Sequence, residues 1–237
     1  MDTLNALSTE AYRAVADSWL ETHYWNAAEP PAFSRVQSFM AHLRDSHGDM
    51  DVVQALRPLP LYQLWTAESV AIIAAWLRRR NARVVLEVGA GDGRLTAWLR
   101  PLVPAEMRLI ATDDRSWVRP AARALPRTVH RLHYDQALVR FRPDTVLSSW
   151  MPYREDWTPA FRRTVSVQRY LLVGEGPWGC VGTRAAWQPQ RGWRRQTLQG
   201  FTATAWCRTD CWFGPFLNQH SRAVAWTRSP GRCGGQD

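Results

Sequence analysis

Lysine is absent from this chain, and all 30 basic residues are arginine. Set against 21 acidic residues, they leave a formal net charge of +9. Arginine pairs bidentately with phosphate and carboxylate, so an anionic partner is one reading of that charge. The other is wholesale replacement of lysine by arginine, as in a GC-rich genome. The even spread of arginine along the chain favours the second. The densest clusters, Arg78-Arg79-Arg80 and Arg191 to Arg195, lack the alternating aromatics of a single-strand nucleic-acid face. Cysteine is also scarce. Cys180, Cys207, Cys211 and Cys233 are too few and too scattered for a disulfide scaffold. Cys207 and Cys211 have no second ligand pair at zinc spacing, and no His, Cys or carboxylate group shows a metal-binding pattern, so no metal is expected. A reducing, cytoplasmic setting follows. No apolar run approaches the ~18 residues of a membrane span. The first 25 residues do not place basic before apolar, unlike a secretory signal. With 237 residues, 46% of them hydrophobic and 22% charged, disorder, collagen and coiled coil are excluded as overall classes.

What is present divides into two parts. In the first, Tyr12, Val15, Ala16, Trp19 and Leu20 share a helical face behind a cap at Ser8 or Thr9. Phe33, Val36, Met40 and Leu43 predict a second helix, and Ser46 to Asp49 a turn. Thr66 reads as the N-cap of a third helix, with Glu68 in its first turn and Val70, Ile73, Trp76 and Leu77 as its buried stripe. From residue 83 short apolar runs take over: Val84 to Val88, Arg108 to Thr112, Thr145 to Ser148 and Tyr170 to Val173. Helical or loop segments separate them, and Thr158-Pro159 opens one such helix with Thr at the cap. Strand, crossover, strand is the pattern of an open α/β sheet. Phe201 to Cys207 and Arg222 to Thr227 are expected to close the sheet as a late hairpin around Phe213-Gly214-Pro215. Some of the 14 tryptophans are expected in the core, and others in loops near the site.

The strongest signal is Glu87-Val88-Gly89-Ala90-Gly91-Asp92-Gly93, which follows a strand and precedes a short helix at Leu95 to Leu99. Glycines there permit a sharp bend and a close ligand approach to the main chain. A dinucleotide fingerprint would need its third glycine at position 94, which is Arg94. The Gly-Lys-Ser/Thr of a phosphate loop is absent. A carboxylate at Glu87 repels a pyrophosphate and attracts an ammonium or sulfonium group.

This stretch resembles motif I of the class I S-adenosylmethionine (SAM) dependent methyltransferases. The resemblance implies a Rossmann-like, mostly parallel seven-stranded α/β sheet with helices on both faces, here with an N-terminal helical cap. The resemblance covers 66–228, the expected SAM-binding domain; the helices before it read as a cap at 1–65, and the glycine-rich end as a disordered tail at 229–237. It implies SAM as cofactor, held by Glu87, Gly89, Gly91 and Gly93. Asp113, beside Asp114, would take the ribose hydroxyls, and Asp135 the adenine amino group. Ser149 ends the fourth strand, whose carboxyl end faces the methyl group. Asp144 reads as a strand-start hydrogen-bonding residue.

Methyl transfer is an in-line displacement that asks the protein mainly to align two molecules and exclude water, so a catalytic motif is not required. The acceptor is expected at the loop after the fourth strand. There Trp150, Met151, Tyr153 and Trp157 are the expected acceptor contacts, with Trp178 after the fifth strand. Tyr153, Glu155 and Asp156 are the candidate proton acceptors, and Glu175 a further wall. Tyr62, Gln63 and Trp65 are placed towards the cofactor. The segment Ser149-Trp150-Met151-Pro152-Tyr153 departs from the Asn/Asp-Pro-Pro-Tyr/Phe of adenine methyltransferases. The leading expectation is therefore methylation of an O or N atom of a small molecule or peptide, with no membrane partner. An RNA methyltransferase and a non-catalytic binding protein of the same fold remain open beside it.

Overall fold

The computed structural model describes residues 14–47, 61–116, 128–207 and 221–230. Helix α1 (14–20) runs into a π-helical turn, Glu21–Trp25, and is followed by α2 (Phe33–His47). The expected cap at Ser8 or Thr9 lies outside the described residues, as does the end of the Ser46–Asp49 turn. After β1 (Gln63–Leu64) comes α3 (Ala67–Arg79). Its start is the expected Thr66 cap. The Thr66 hydroxyl accepts the Ser69 N–H at 3.1 Å, and Ser69 Oγ accepts the Thr66 N–H at 3.0 Å. Glu68 does more than face the helix dipole: its carboxylate accepts the Phe33 N–H at 2.8 Å, capping α2 from the neighbouring helix.

The remaining elements are β2 (Val84–Val88), α4 (Arg94–Leu99), β3 (Arg108–Asp113), β4 (Val129–Arg131), α5 (Tyr134–Phe141), β5 (Thr145–Ser149), α6 (Thr158–Arg163), β6 (Arg169–Gly174), β7 (Trp193–Thr197), β8 (Trp206–Cys207) and β9 (Arg222–Arg228). Seven strands form one sheet in the order β4-β3-β2-β5-β6-β9-β7. The first five are parallel, and β9 pairs antiparallel with both β6 and β7. This is the expected mostly parallel α/β sheet. Between β2 and β5 the chain turns from building one half of the sheet to building the other. Such a switch point opens a crevice at the carboxyl ends of the strands. Asp144 directly precedes β5 and bonds at the strand start as expected, accepting the Arg83 N–H at 2.8 Å and the Val84 N–H at 3.2 Å.

One strand differs from expectation. The antiparallel partner of β9 is Trp193–Thr197, not Phe201 to Cys207. Within Phe201 to Cys207, Thr202–Thr204 form a 3-10 turn and only β8 pairs, with β1 in a separate two-stranded ribbon. The sequence Trp193-Arg-Arg-Gln-Thr has no apolar alternation because β7 is an edge strand with four of its five residues exposed. Phe213 to Pro215 lie outside the described residues. Of the expected tail, Ser229 is held by Gly192 at 2.8 Å, and 231–237 lie outside the described residues.

The strands alternate their side chains between two cores. On one face Val85, Leu147, Leu171 and Ala225 meet Leu20, Tyr24, Val36 and Leu43 of the N-terminal helices, together with Ile73, Trp76 and Leu99. On the other, Leu86, Val146, Leu172 and Trp226 meet Leu138, Phe161 and Trp187. The N-terminal helices thus share one core with a face of the sheet. Trp76, Trp98, Trp187 and Trp226 are buried, as expected for part of the tryptophan set.

Candidate functional site

The bend between β2 and α4 has three glycines with positive φ: Gly89 at +65°, Gly91 at +59° and Gly93 at +76°. Their surroundings differ. A Cβ on Gly93 would stand 2.5 Å from Val129 Cγ2, so this glycine lets the first turn of α4 pack against β4. A Cβ on Gly89 would stand 3.1 Å from the Trp157 ring. A Cβ on Gly91 would meet nothing within 4 Å. Gly91 therefore leaves open space against bare main chain, which is what a ligand pressed onto the backbone needs.

Asp113, at the carboxyl end of β3, fixes that loop. One carboxylate oxygen accepts the Gly91 N–H at 2.9 Å and the other the Arg115 N–H at 2.8 Å. Burial raises the pKa of the Asp113 carboxyl, against the pull of those two bonds. Each oxygen keeps a further lone pair for a ligand hydroxyl. Asp114 Oδ1 accepts the Ser116 N–H at 2.8 Å, and its Oδ2 lies 3.9 Å from His133 Nε2. Asp135, in the first turn of α5, sits 2.7 Å from His133 Nδ1, and that bond lowers its pKa. Ser149 ends β5, half-buried.

Glu87 has partners that the sequence did not reveal. It is 2% exposed, and its Oε2 accepts both the Thr96 N–H at 3.1 Å and the Thr96 hydroxyl at 2.5 Å. Its immediate contact is therefore the first turn of α4. Burial pushes this carboxyl up to about 7.

Arg94, which occupies the third-glycine position of a dinucleotide fingerprint, ties the loop to the N-terminal helices. Its guanidinium donates to the Tyr24 carbonyl at 2.6 Å and the Trp25 carbonyl at 3.3 Å, and pairs with Asp92. It lies 4.8 Å, 4.7 Å and 5.2 Å from the ring centroids of Tyr24, Trp25 and Trp98. No pattern in the sequence marked this contact. The π-helical turn supplies both carbonyls, and such turns often accompany functional sites.

The loop after β5 splits into an inner and an outer set. Met151 is 2% exposed, with Sδ accepting the Trp157 N–H at 3.4 Å. Trp157 stacks on Tyr134 with centroids 4.9 Å apart and donates from Nε1 to Glu155 at 2.5 Å. Both residues, expected at the acceptor, pack into the core beneath the loop. Of the three candidate proton acceptors, Glu155 is engaged by Trp157. Asp156 accepts the Thr158 N–H at 2.9 Å and its hydroxyl at 2.6 Å; α6 starts at Thr158 with Trp157 at the N-cap position, so Thr158 is the first helical residue rather than the expected cap. Tyr153 is 55% exposed beneath the Arg154 guanidinium. Trp178 is 71% exposed, with Arg184 4.1 Å from its ring centre.

Trp150 has φ +56°, a conformation a large side chain rarely adopts. Two bonds hold it there. Its N–H donates to Val173 O at 2.9 Å, and its indole N–H to Gln63 Oε1 at 3.1 Å. Gln63 also accepts the Ser221 hydroxyl at 2.6 Å and donates to Trp206 O at 2.8 Å. Tyr62 lies beside Trp150, with ring centres 5.5 Å apart. Of the residues before α3, Tyr62 and Gln63 thus reach the end of β5, while Trp65 is buried against Phe201. No group of three metal-ligating side chains occurs among the described residues, and no described helix is long and apolar enough to cross a membrane.

No family model and no curated protein matches the sequence. Among solved structures, the chain is similar to the O-methyltransferase TomG from Streptomyces achromogenes, in complex with SAM, at 16% identity over 77% of this chain and 89% of that one, with a TM-score of 0.44. It is also similar to magnesium protoporphyrin IX methyltransferase from Synechocystis, with bound S-adenosylhomocysteine, at 17% identity over 68% and 83% of the two chains, with a TM-score of 0.36. Cofactor-bound Rv0187 from MTB matches at 12% identity over 76% and 87%, with a TM-score of 0.45. The Rossmann-like fold of this chain itself rests on the strand order and registers given above.

Proposed function

We propose that this chain is a SAM-dependent methyltransferase acting on an O or N atom of a small molecule or peptide. The observation that carries the reading is the glycine bend: Gly91 presents open main chain, and the Asp113 carboxylate fixes its amide at 2.9 Å. Gly91 and Asp113 are the residues that would hold the cofactor, with Asp114, Asp135 and Ser149 around them. A bound SAM supplies an electrophilic methyl on a positively charged sulfur. The protein's share is positional. Asp113 holds the bend, Glu87 holds the helix after it, and Arg94 joins both to the N-terminal helices. At neutral pH Glu87 is poised between neutral and charged, so a sulfonium nearby would draw it towards the carboxylate.

Isothermal titration with S-adenosylhomocysteine tests the reading. Wild type is expected to bind. Asp113→Ala, which removes the Gly91 anchor, is expected to lose about tenfold or more in affinity, the worth of a hydrogen bond to a charged group. Failure of wild type to bind, or unchanged binding by Asp113→Ala, would overturn it.

A further inference from the structure

We infer that Glu175 is an acceptor-recognition residue, and that the acceptor it recognises carries a flat ring and a protonated amine. The inference rests on the methyltransferase reading above and adds the chemistry of the second substrate.

Glu175 directly follows β6 and is 4% exposed. Its Oε2 accepts the Cys180 N–H at 2.5 Å. Its Oε1 is buried with no hydrogen-bond partner. A buried carboxylate oxygen left unpaired costs free energy that a bound donor would recover, most of all a cationic one. The surrounding loop is shaped to keep it there. A Cβ on Gly179 would fall 2.2 Å from Glu175 Cβ, so only glycine lets the 176–180 turn close over this side chain.

The position suits an acceptor. Strands β5 and β6 run side by side with Ser149 opposite Val173. The Trp150 N–H binds the Val173 carbonyl, so Trp150 and Glu175 leave neighbouring strands within two residues of one hydrogen bond. Ser221, which precedes the Arg222 paired with Gly174, reaches Gln63, and Gln63 holds the Trp150 indole. The rings fit the same ligand. Tyr62, Tyr153 and Trp178 are the exposed large aromatics among the described residues; Tyr62 lies beside Trp150, and Tyr153 and Trp178 each follow within four residues the strand that ends at Ser149 or Gly174. Trp150 is held there in a strained backbone conformation. Such strain concentrates at ligand sites. Aromatic faces take flat rings and cations alike. An ammonium has no lone pair, so the group that Glu175 holds is a handle and another atom of the acceptor receives the methyl.

The probe is benzylammonium, with benzyl alcohol and benzoate as comparators, titrated by ligand-observed NMR with and without S-adenosylhomocysteine. Benzylammonium should bind wild type about tenfold more tightly than benzyl alcohol, and benzoate more weakly than either. Glu175→Gln keeps an acceptor for the Cys180 N–H and nearly the same volume. It should lower benzylammonium affinity about tenfold and leave benzyl alcohol and S-adenosylhomocysteine binding unchanged. Equal binding of amine and alcohol by wild type would overturn the inference even if the variant failed to fold. Undiminished amine binding by a folded Glu175→Gln would do so as well. Loss of S-adenosylhomocysteine binding in wild type would instead refute the cofactor reading, and the titration without it separates the two.

Discussion

At the β2–β3 side of the sheet's carboxyl edge the main chain does the shaping, through Gly89, Gly91, Gly93 and the amides that Asp113 holds. At the β5–β6 side large side chains do it: Trp150, Met151, Trp157 and Glu175 pack, bond and strain the loops into place. The first arrangement depends on the absence of atoms at fixed spacings, so it tolerates few substitutions. The second depends on which side chains happen to meet across 87 and 158 residues of sequence, as Gln63 meets Trp150 and Ser221. On the proposed function, it is the half that a change of acceptor would alter.

The sharpest break in this comparison is at Gly93. Gly93→Ala sets a methyl against Val129 in a left-handed conformation. It should cost roughly 4 kcal/mol of stability in urea unfolding, with part recovered in the double variant with Val129→Ala. A smaller effect belongs to Glu87. Its carboxyl titrates at about 7 when folded and at 4.5 as the reference. The folded state therefore holds a proton that the unfolded state has released. The stability this group contributes is present below pH 4.5 and is lost as pH rises through 7. The loss should amount to about 3 kcal/mol. Glu87→Gln should flatten the stability profile across that window, and thermal unfolding at pH 4, 6 and 8 reads it directly.

How much of each half was legible follows from the same contrast. The glycine spacing, the Asp113 position and the Thr66 cap are local patterns with local causes, and the structure places each where the sequence implied a bend, a strand end and a helix start. The side chain that Glu87 binds was not legible, because Thr96 is an unremarkable helix residue until α4 folds over β2. Arg94 read only as a missing glycine, since its partners are carbonyls and rings some 70 residues earlier. Strand β7 was missed because an exposed edge strand has no apolar period to read. In the β5–β6 half, residue types were legible but inside and outside were not. Met151 and Trp157 turn into the core, while Tyr153 and Trp178 stay on the surface.

Two milder substitutions sharpen the comparison. Arg94→Met removes two carbonyl bonds and the guanidinium between three rings while keeping much of the side-chain volume. It should cost about 2 kcal/mol and speed hydrogen exchange in the turn at Glu21–Trp25 before it affects the sheet. Trp178→Ala removes a ring that is 71% exposed, and should change stability by less than about 0.5 kcal/mol. It should still weaken benzylammonium binding, separating a ligand contact from a structural one.

The central claim is that open main chain at Gly91 receives the cofactor. Protein labelled with 15N-glycine offers the most direct measurement, as S-adenosylhomocysteine is added and the amide resonances are followed. The shifts are predicted to be largest at Gly91 and its neighbours in the bend, with Gly192 and Gly200 unmoved. Saturating ligand that leaves the Gly91 resonance in place would contradict it.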